Sequence, residues 1–124
     1  MTDVPAGVRL SGTLDLSRSR RIHVANVGGA GMSAVATLLA ESGHRVSGHD
    51  PASSTPFLAM LASLGVDVTT GDARAPLAGD VEAVVVSTAT PDDDADVVTA
   101  RRRGVPVVHR AGALAALCAQ RSTV

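Results

Sequence analysis

The segment Asn26-Val27-Gly28-Gly29-Ala30-Gly31-Met32-Ser33 concentrates groups able to do chemistry without side chains. Glycine has no Cβ, so a turn built on Gly28, Gly29 and Gly31 can bring backbone N–H groups close to an anion. Where such a turn opens a helix, the first amides lack intrahelical acceptors and lie at the positive end of the helix dipole. The chemistry implied is the cradling of a nucleotide phosphate. The dinucleotide fingerprint G-x-G-x-x-G is matched at Gly28 and Gly31, with Asn26 in the place of the first glycine. Asn is among the side chains that best tolerate a left-handed backbone, so the turn is retained. Asp50 lies about 20 residues beyond the turn, where an acid accepts hydrogen bonds from ribose hydroxyls. The competing reading is a ligand-free strand-to-helix turn, with Asp50 merely opening a turn before Pro51.

Other polar clusters have a bland reading beside the chemical one. Ser87, Thr88 and Thr90, in the loop Ser87-Thr88-Ala89-Thr90-Pro91, could bond a phosphate, a ribose or a base edge, or could cap a helix before Asp92. Asp92, Asp93, Asp94 and Asp96 have the density of an acid-base or cation site. They open an expected helix that closes with Arg101, Arg102 and Arg103, however, an order that complements the helix dipole. The four histidines, His23, His44, His49 and His109, lack zinc-motif spacing. His49, beside Asp50, is the one proposed to touch a ligand, whereas His23 and His109 are expected within strands. Cys118 is the single cysteine and is expected to pack as an apolar thiol near Leu114 and Leu117. The chain has no lysine, which rules out a Walker loop within it. No catalytic residue and no metal ligand is assigned.

These residues must be positioned by a chain of 124 residues, which fits one domain with a packed core. A net charge of -1, one Phe and no Tyr or Trp argue against nucleic-acid binding by charge or by stacking. The longest apolar stretches, 81–86 and 111–119, fall far short of the ~20 residues of a membrane span. The N-terminus has no signal-peptide core, so a cytoplasmic location is expected. Short apolar runs at 22–27, 45–48, 67–69, 83–87 and 106–109 read as strands, and helical periodicity fills 31–42, 55–64, 92–103 and 111–120. Gly43, Gly65 and Gly104 follow three of these helices as stop signals. The alternation predicts an α/β, Rossmann-like three-layer domain with a five-stranded, mainly parallel sheet. It occupies residues 21–124. Residues 1–20, patterned only by Val8, Leu10, Leu14 and Leu16, are expected to lie across the sheet edge or to be partly disordered. In such a sheet the first and fourth strands flank the ligand crevice, which brings the loop beginning at Ser87 beside the glycine turn.

Four blocks, 23–33 (HVANVGGAGMS), 46–50 (VSGHD), 84–89 (VVVSTA) and 105–114 (VPVVHRAGAL), occur in an order and at gaps that resemble the N-terminal domain of the Mur ligases. Within that family the glycine stretch and the S-G-x-D block are most similar to the members that join L-alanine to UDP-N-acetylmuramate in peptidoglycan synthesis. The resemblance implies that Gly28, Gly29, Ala30, Gly31, Met32 and Ser33 hold the diphosphate of UDP-N-acetylmuramic acid and that Asp50, with His49 beside it, contacts the ribose or uridine. Ser87, Thr88 and Ala89 would line the same cleft. Asp72 and His49 stand where the family has His and Ser, so the former places a carboxylate near the ligand. No cofactor is implied for these residues. ATP and magnesium are implied for a central domain, and a C-terminal domain for amino-acid binding, so the chain is expected to be a fragment that is inactive alone. With no Lys or Arg in the glycine stretch, phosphate capture is expected to rest on amides and the helix end. Two alternatives stay open: an NAD(P)-binding domain of a dehydrogenase or redox sensor, which the same fold and Asp50 would serve, and a ligand-free scaffold.

Overall fold

The computed structural model describes residues 14–52, 55–72 and 75–122, within which β-branched runs form strands and amphipathic runs form helices. Strands β1 (Arg21–Ala25), β2 (Arg45–Asp50), β3 (Asp67–Thr70), β4 (Ala83–Val86) and β5 (Val107–His109) form one sheet in the order β3-β2-β1-β4-β5. Every neighbouring pair is parallel. The helices are α1 (Ala30–Glu41), α2 (Leu58–Ser63), α3 (Ala95–Arg103) and α4 (Arg110–Ser122). The chain winds outward from β1 through β2 to β3, then returns to pair β4 with the other edge of β1. The carboxyl ends of β1 and β4 therefore bound the crevice at which open α/β sheets take ligands.

A parallel sheet covered on both faces needs strands that are apolar on both sides, and these are. Ile22 and Val24 of β1 join Val46 and Val85 on one face, against Met32, Val35 and Leu39 of α1, Leu61 of α2, and Ala113 and Leu117 of α4. Ala25, Val84 and Val86 point the other way and pack against Val97 and Ala100 of α3, with Leu77 and Val81 of the β3–β4 connection. Side chains such as Ile22, Leu39 and Leu61 have no exposed surface, and each contributes about 1.5–3 kcal/mol by leaving water. Three layers result, as the alternation predicts.

The differences lie at element ends and have local causes. β1 stops at Ala25 rather than residue 27, because Asn26 turns to φ 52°, out of the extended region. α2 begins at Leu58 rather than residue 55; Thr55 precedes Pro56, whose ring disfavours helical geometry at the residue before it. α3 begins at Ala95, since the Asp94 side chain accepts the Asp96 and Val97 N–H groups and fixes the N-cap there. Gly104 ends α3 in the left-handed conformation, as Gly43 and Gly65 do after α1 and α2. Cys118 is a correction: it is exposed, one residue past the core-facing Leu117 and so turned off the buried stripe of α4.

Of the expected N-terminal extension, residues 1–13, with Val8 and Leu10, lie outside the described residues. The part from 14 to 20 is tied down. Leu16 is buried, Leu14 packs on the same core, and the Arg20 guanidinium bridges Asp15 and Glu82. No helix among the described residues is long and apolar enough to cross a membrane.

Candidate phosphate-binding site

The glycine turn is closed by its own backbone. The Gly29 N–H donates to the Asn26 carbonyl at 3.1 Å, and the Val27 N–H donates to the His49 carbonyl at 3.2 Å, anchoring the turn to β2. The Gly28 N–H donates to Asp50 Oδ2 at 2.9 Å, while Asp50 Oδ1 accepts the Ala52 N–H at 2.8 Å. Asp50 is thus a buried clasp on the turn, with each oxygen already holding one amide. A Cβ on Gly28 would lie 2.9 Å from both Asp50 Oδ2 and Thr55 Oγ1, so glycine is required there for close approach.

Gly29 is the N-cap of α1, and no side chain among the described residues caps that helix. Its first intrahelical bond runs from the Ser33 N–H to the Gly29 carbonyl at 2.8 Å. The amides of Ala30, Gly31 and Met32 precede that bond and have no intrahelical acceptor. Gly29 and Ala30 are exposed, so this end of α1 faces solvent. Two residues of the expected cradle contribute less than their position suggested. Met32 has its side chain in the core, and Ser33 donates its N–H to Gly29 and its hydroxyl to the Ala30 carbonyl.

The expectation that no basic side chain serves the turn needs correction. A Cβ placed on Gly31 would run into the Arg110 guanidinium, which lies directly over the start of α1. Arg110 is the first residue of α4, immediately after β5, and among the described residues it has no hydrogen-bond or ion-pair partner. A charge-assisted donor therefore stands beside the unpaired amides, an arrangement that suits a phosphate. Sequence spacing cannot reveal this, since Arg110 arrives from the far end of the chain; the only signal was its place within the block at 105–114.

The loop after β4 meets the turn as expected. Thr90 Oγ1 donates to Asn26 Oδ1 at 3.1 Å and accepts the Ser87 N–H at 3.1 Å, so Asn26 joins the two loops. Ser87 Oγ accepts the Ala89 N–H at 3.2 Å, and Thr88 and Ala89 are exposed along the same edge. Asp72 is exposed just beyond β3. His49 departs from the expectation of a ligand contact. Adjacent strand residues point to opposite faces, and His49 is buried away from Asp50, with its Nδ1 2.6 Å from Thr69 Oγ1. The acidic run resolves as structure: Asp94 caps α3, and buried Asp96 meets His23 Nε2 at 2.7 Å. Both His23 and His109 lie in strands, as read from the sequence.

Comparison with known proteins gives consistent matches. A family profile described as Mur ligase family, catalytic domain, matches residues 21–122. The chain is 46% identical over 100 residues to the UDP-N-acetylmuramate--L-alanine ligase of Rubrobacter xylanophilus, covering 81% of this chain and 22% of that protein. It is 46% identical over 97 residues to the enzyme of the same name from Streptomyces coelicolor, covering 78% and 21%. Among solved structures, a UDP-N-acetylmuramate-alanine ligase from Thermotoga maritima aligns with a TM-score of 0.65 at 33% identity, covering 73% of this chain and 20% of that one. The chain spans about a fifth of the length of the curated relatives it matches.

Proposed function

The chain belongs to the Mur ligase family, and from that membership we propose that residues 21–124 form the UDP-sugar-binding domain of an ATP-dependent ligase that joins L-alanine to UDP-N-acetylmuramic acid in the cytoplasm. The carrying observation is the uncapped start of α1, where the Arg110 guanidinium lies against Gly31. Those donors would hold the diphosphate. Asp50 would act by fixing the turn, with its remaining lone pairs toward the ribose, and Ser87, Thr88 and Ala89 would border the sugar. Asp72, at the rim, would lie toward the uridine side. In the complete enzyme, ATP and magnesium would be held by a central domain, where ATP would phosphorylate the lactyl carboxylate. The L-alanine amine, positioned by a C-terminal domain, would then displace phosphate. By itself this domain binds without turnover.

The relatives reported above are amino-acid ligases and give no support to the dehydrogenase reading. Calorimetric titration with UDP-N-acetylmuramate, and separately with NAD, tests the proposal. Saturable heat with the UDP-sugar, at a Kd of roughly 0.1–1 mM, is expected with none for NAD. Binding of NAD without a response to the UDP-sugar would overturn it.

A further inference from the structure

The ladder between β1 and β4 ends at the pair Val24 and Val85, and past it the glycine turn and the β4 loop form the two walls of the crevice. Asn26 spans them. Its backbone stands at φ 52° and its Oδ1 accepts the Thr90 hydroxyl at 3.1 Å. Glycine would adopt that φ without steric cost, so what asparagine adds at this position is its side chain. Thr90 in turn closes the loop on itself: its Oγ1 accepts the Ser87 N–H at 3.1 Å, and its own N–H donates to the Ser87 carbonyl at 3.1 Å. A loop closed by its own bonds moves as one body, and Asn26 fixes that body to the turn. Asn26 and Thr90 are half-buried, whereas Thr88 and Ala89 of the loop and Gly29 and Ala30 at the start of α1 are exposed. The tether therefore lies deeper in the crevice than the surfaces that would face a ligand.

We propose that Asn26 is a positioning residue, a role that rests on the reading of this crevice as the UDP-sugar site. Through Thr90 it holds the wall formed by Ser87, Thr88 and Ala89 in its binding position before a ligand arrives. It thereby raises affinity for a nucleoside-diphosphate sugar that it does not itself touch. Ordering a loop on binding subtracts from affinity, and a loop ordered beforehand avoids that loss.

Two measurements test this: amide hydrogen exchange in the free chain, and titration with UDP-N-acetylmuramate followed by amide chemical shifts. Both are made on the unsubstituted chain, Asn26→Gly, Thr90→Val, Thr90→Ser and the double variant of Asn26→Gly with Thr90→Val. Glycine keeps the left-handed turn and removes the tether, while valine keeps the branched shape of threonine and removes its hydroxyl. In the free chain, exchange of the Ser87 amide should quicken about threefold or more in Asn26→Gly. Affinity should fall about threefold to tenfold in Asn26→Gly and in Thr90→Val, and the double variant should bind no more weakly than Thr90→Val, since both changes break the same bond. Thr90→Ser keeps the hydroxyl and should bind as the unsubstituted chain does. Unchanged exchange in Asn26→Gly, additive losses in the double variant, or a loss in Thr90→Ser equal to that in Thr90→Val would each overturn the proposal. If Asn26→Gly fails to fold, Thr90→Val against Thr90→Ser decides. A lack of UDP-sugar binding by the unsubstituted chain would instead fail the reading of the site, and the exchange rates would still decide whether Asn26 holds the loop.

Discussion

Arg110 is the single side chain on which the strength of the proposed diphosphate contact turns. Unpaired amides at an exposed helix start are worth only ~0.3–1 kcal/mol toward an anion through the dipole. A hydrogen bond to a charged group adds ~1.5–3 kcal/mol. Replacing Arg110 with Met keeps the stem that covers Gly31 and removes the charge. Affinity for UDP-N-acetylmuramate should then fall about tenfold or more by calorimetry, while uridine binding stays unchanged. An unaltered affinity would remove Arg110 from the site. Asn26 was legible as the residue tolerated in the left-handed turn, but its second role was not: its Oδ1 accepts from Thr90, which ties the turn to the β4 loop. His49 shows the opposite case. Its type and its neighbour suggested a ligand contact, and the two-residue period of the strand turns it to the buried face.

Among the elements, β2 runs tightly against the β1–α1 turn, and Gly48 makes the approach feasible. A Cβ there would lie 2.6 Å from Val27 Cβ and 2.8 Å from both its methyl carbons. Val27 is fully buried in the core and has little room to yield. Gly48→Ala should therefore destabilise the fold by about 1–3 kcal/mol, read as a lower urea midpoint with an unchanged slope. A neutral substitution would show that the turn can lift from β2 freely. The β-α alternation was readable because buried parallel strands are short apolar runs and their helices carry a 3.6-residue stripe. Element ends were not, because they depend on single backbone angles and caps: Asn26 at φ 52°, Pro56 after Thr55, and Asp94 bonding two amides. The glycine turn could be found from its own residues. Arg110 could not, because its position depends on the order in which strands join the sheet.

Across the whole molecule, the two edges of the sheet have different tasks. The carboxyl edge carries the glycine turn, Arg110 and the β4 loop, while the amino edge is locked by a polar cluster remote from them. There the Arg20 N–H donates to His44 Nδ1 at 3.0 Å, the Arg20 guanidinium reaches Asp15 and Glu82, and Glu82 Oε2 accepts the Arg21 N–H at 2.9 Å. Burial, and then the positive charge of Arg20, hold the His44 pKa below its ordinary 6.5, with Glu82 acting weakly the other way. In the folded chain the ring is therefore neutral, as its role as acceptor requires, whereas in the unfolded chain it takes up a proton near its ordinary value. Between these two values the unfolded state binds more protons, so stability is fully present above about pH 6.5 and is lost as pH falls toward the folded pKa. Glu82 and Asp15 are also held below their ordinary values, Glu82 chiefly by the Arg21 N–H and Asp15 by Ser17, so their contributions are lost only in a more acidic range. Urea denaturation should show lower stability at about pH 5.5 than at about pH 7.5, a window in which histidine is the side chain that titrates. His44→Asn, whose Oδ1 can accept the same Arg20 N–H but cannot titrate, should narrow that difference. The proposed UDP-sugar site lies at the opposite edge, so affinity for that ligand should be the same in both proteins at about pH 7.5. If the variant keeps the full pH difference, another group, and not this lock, governs acid sensitivity.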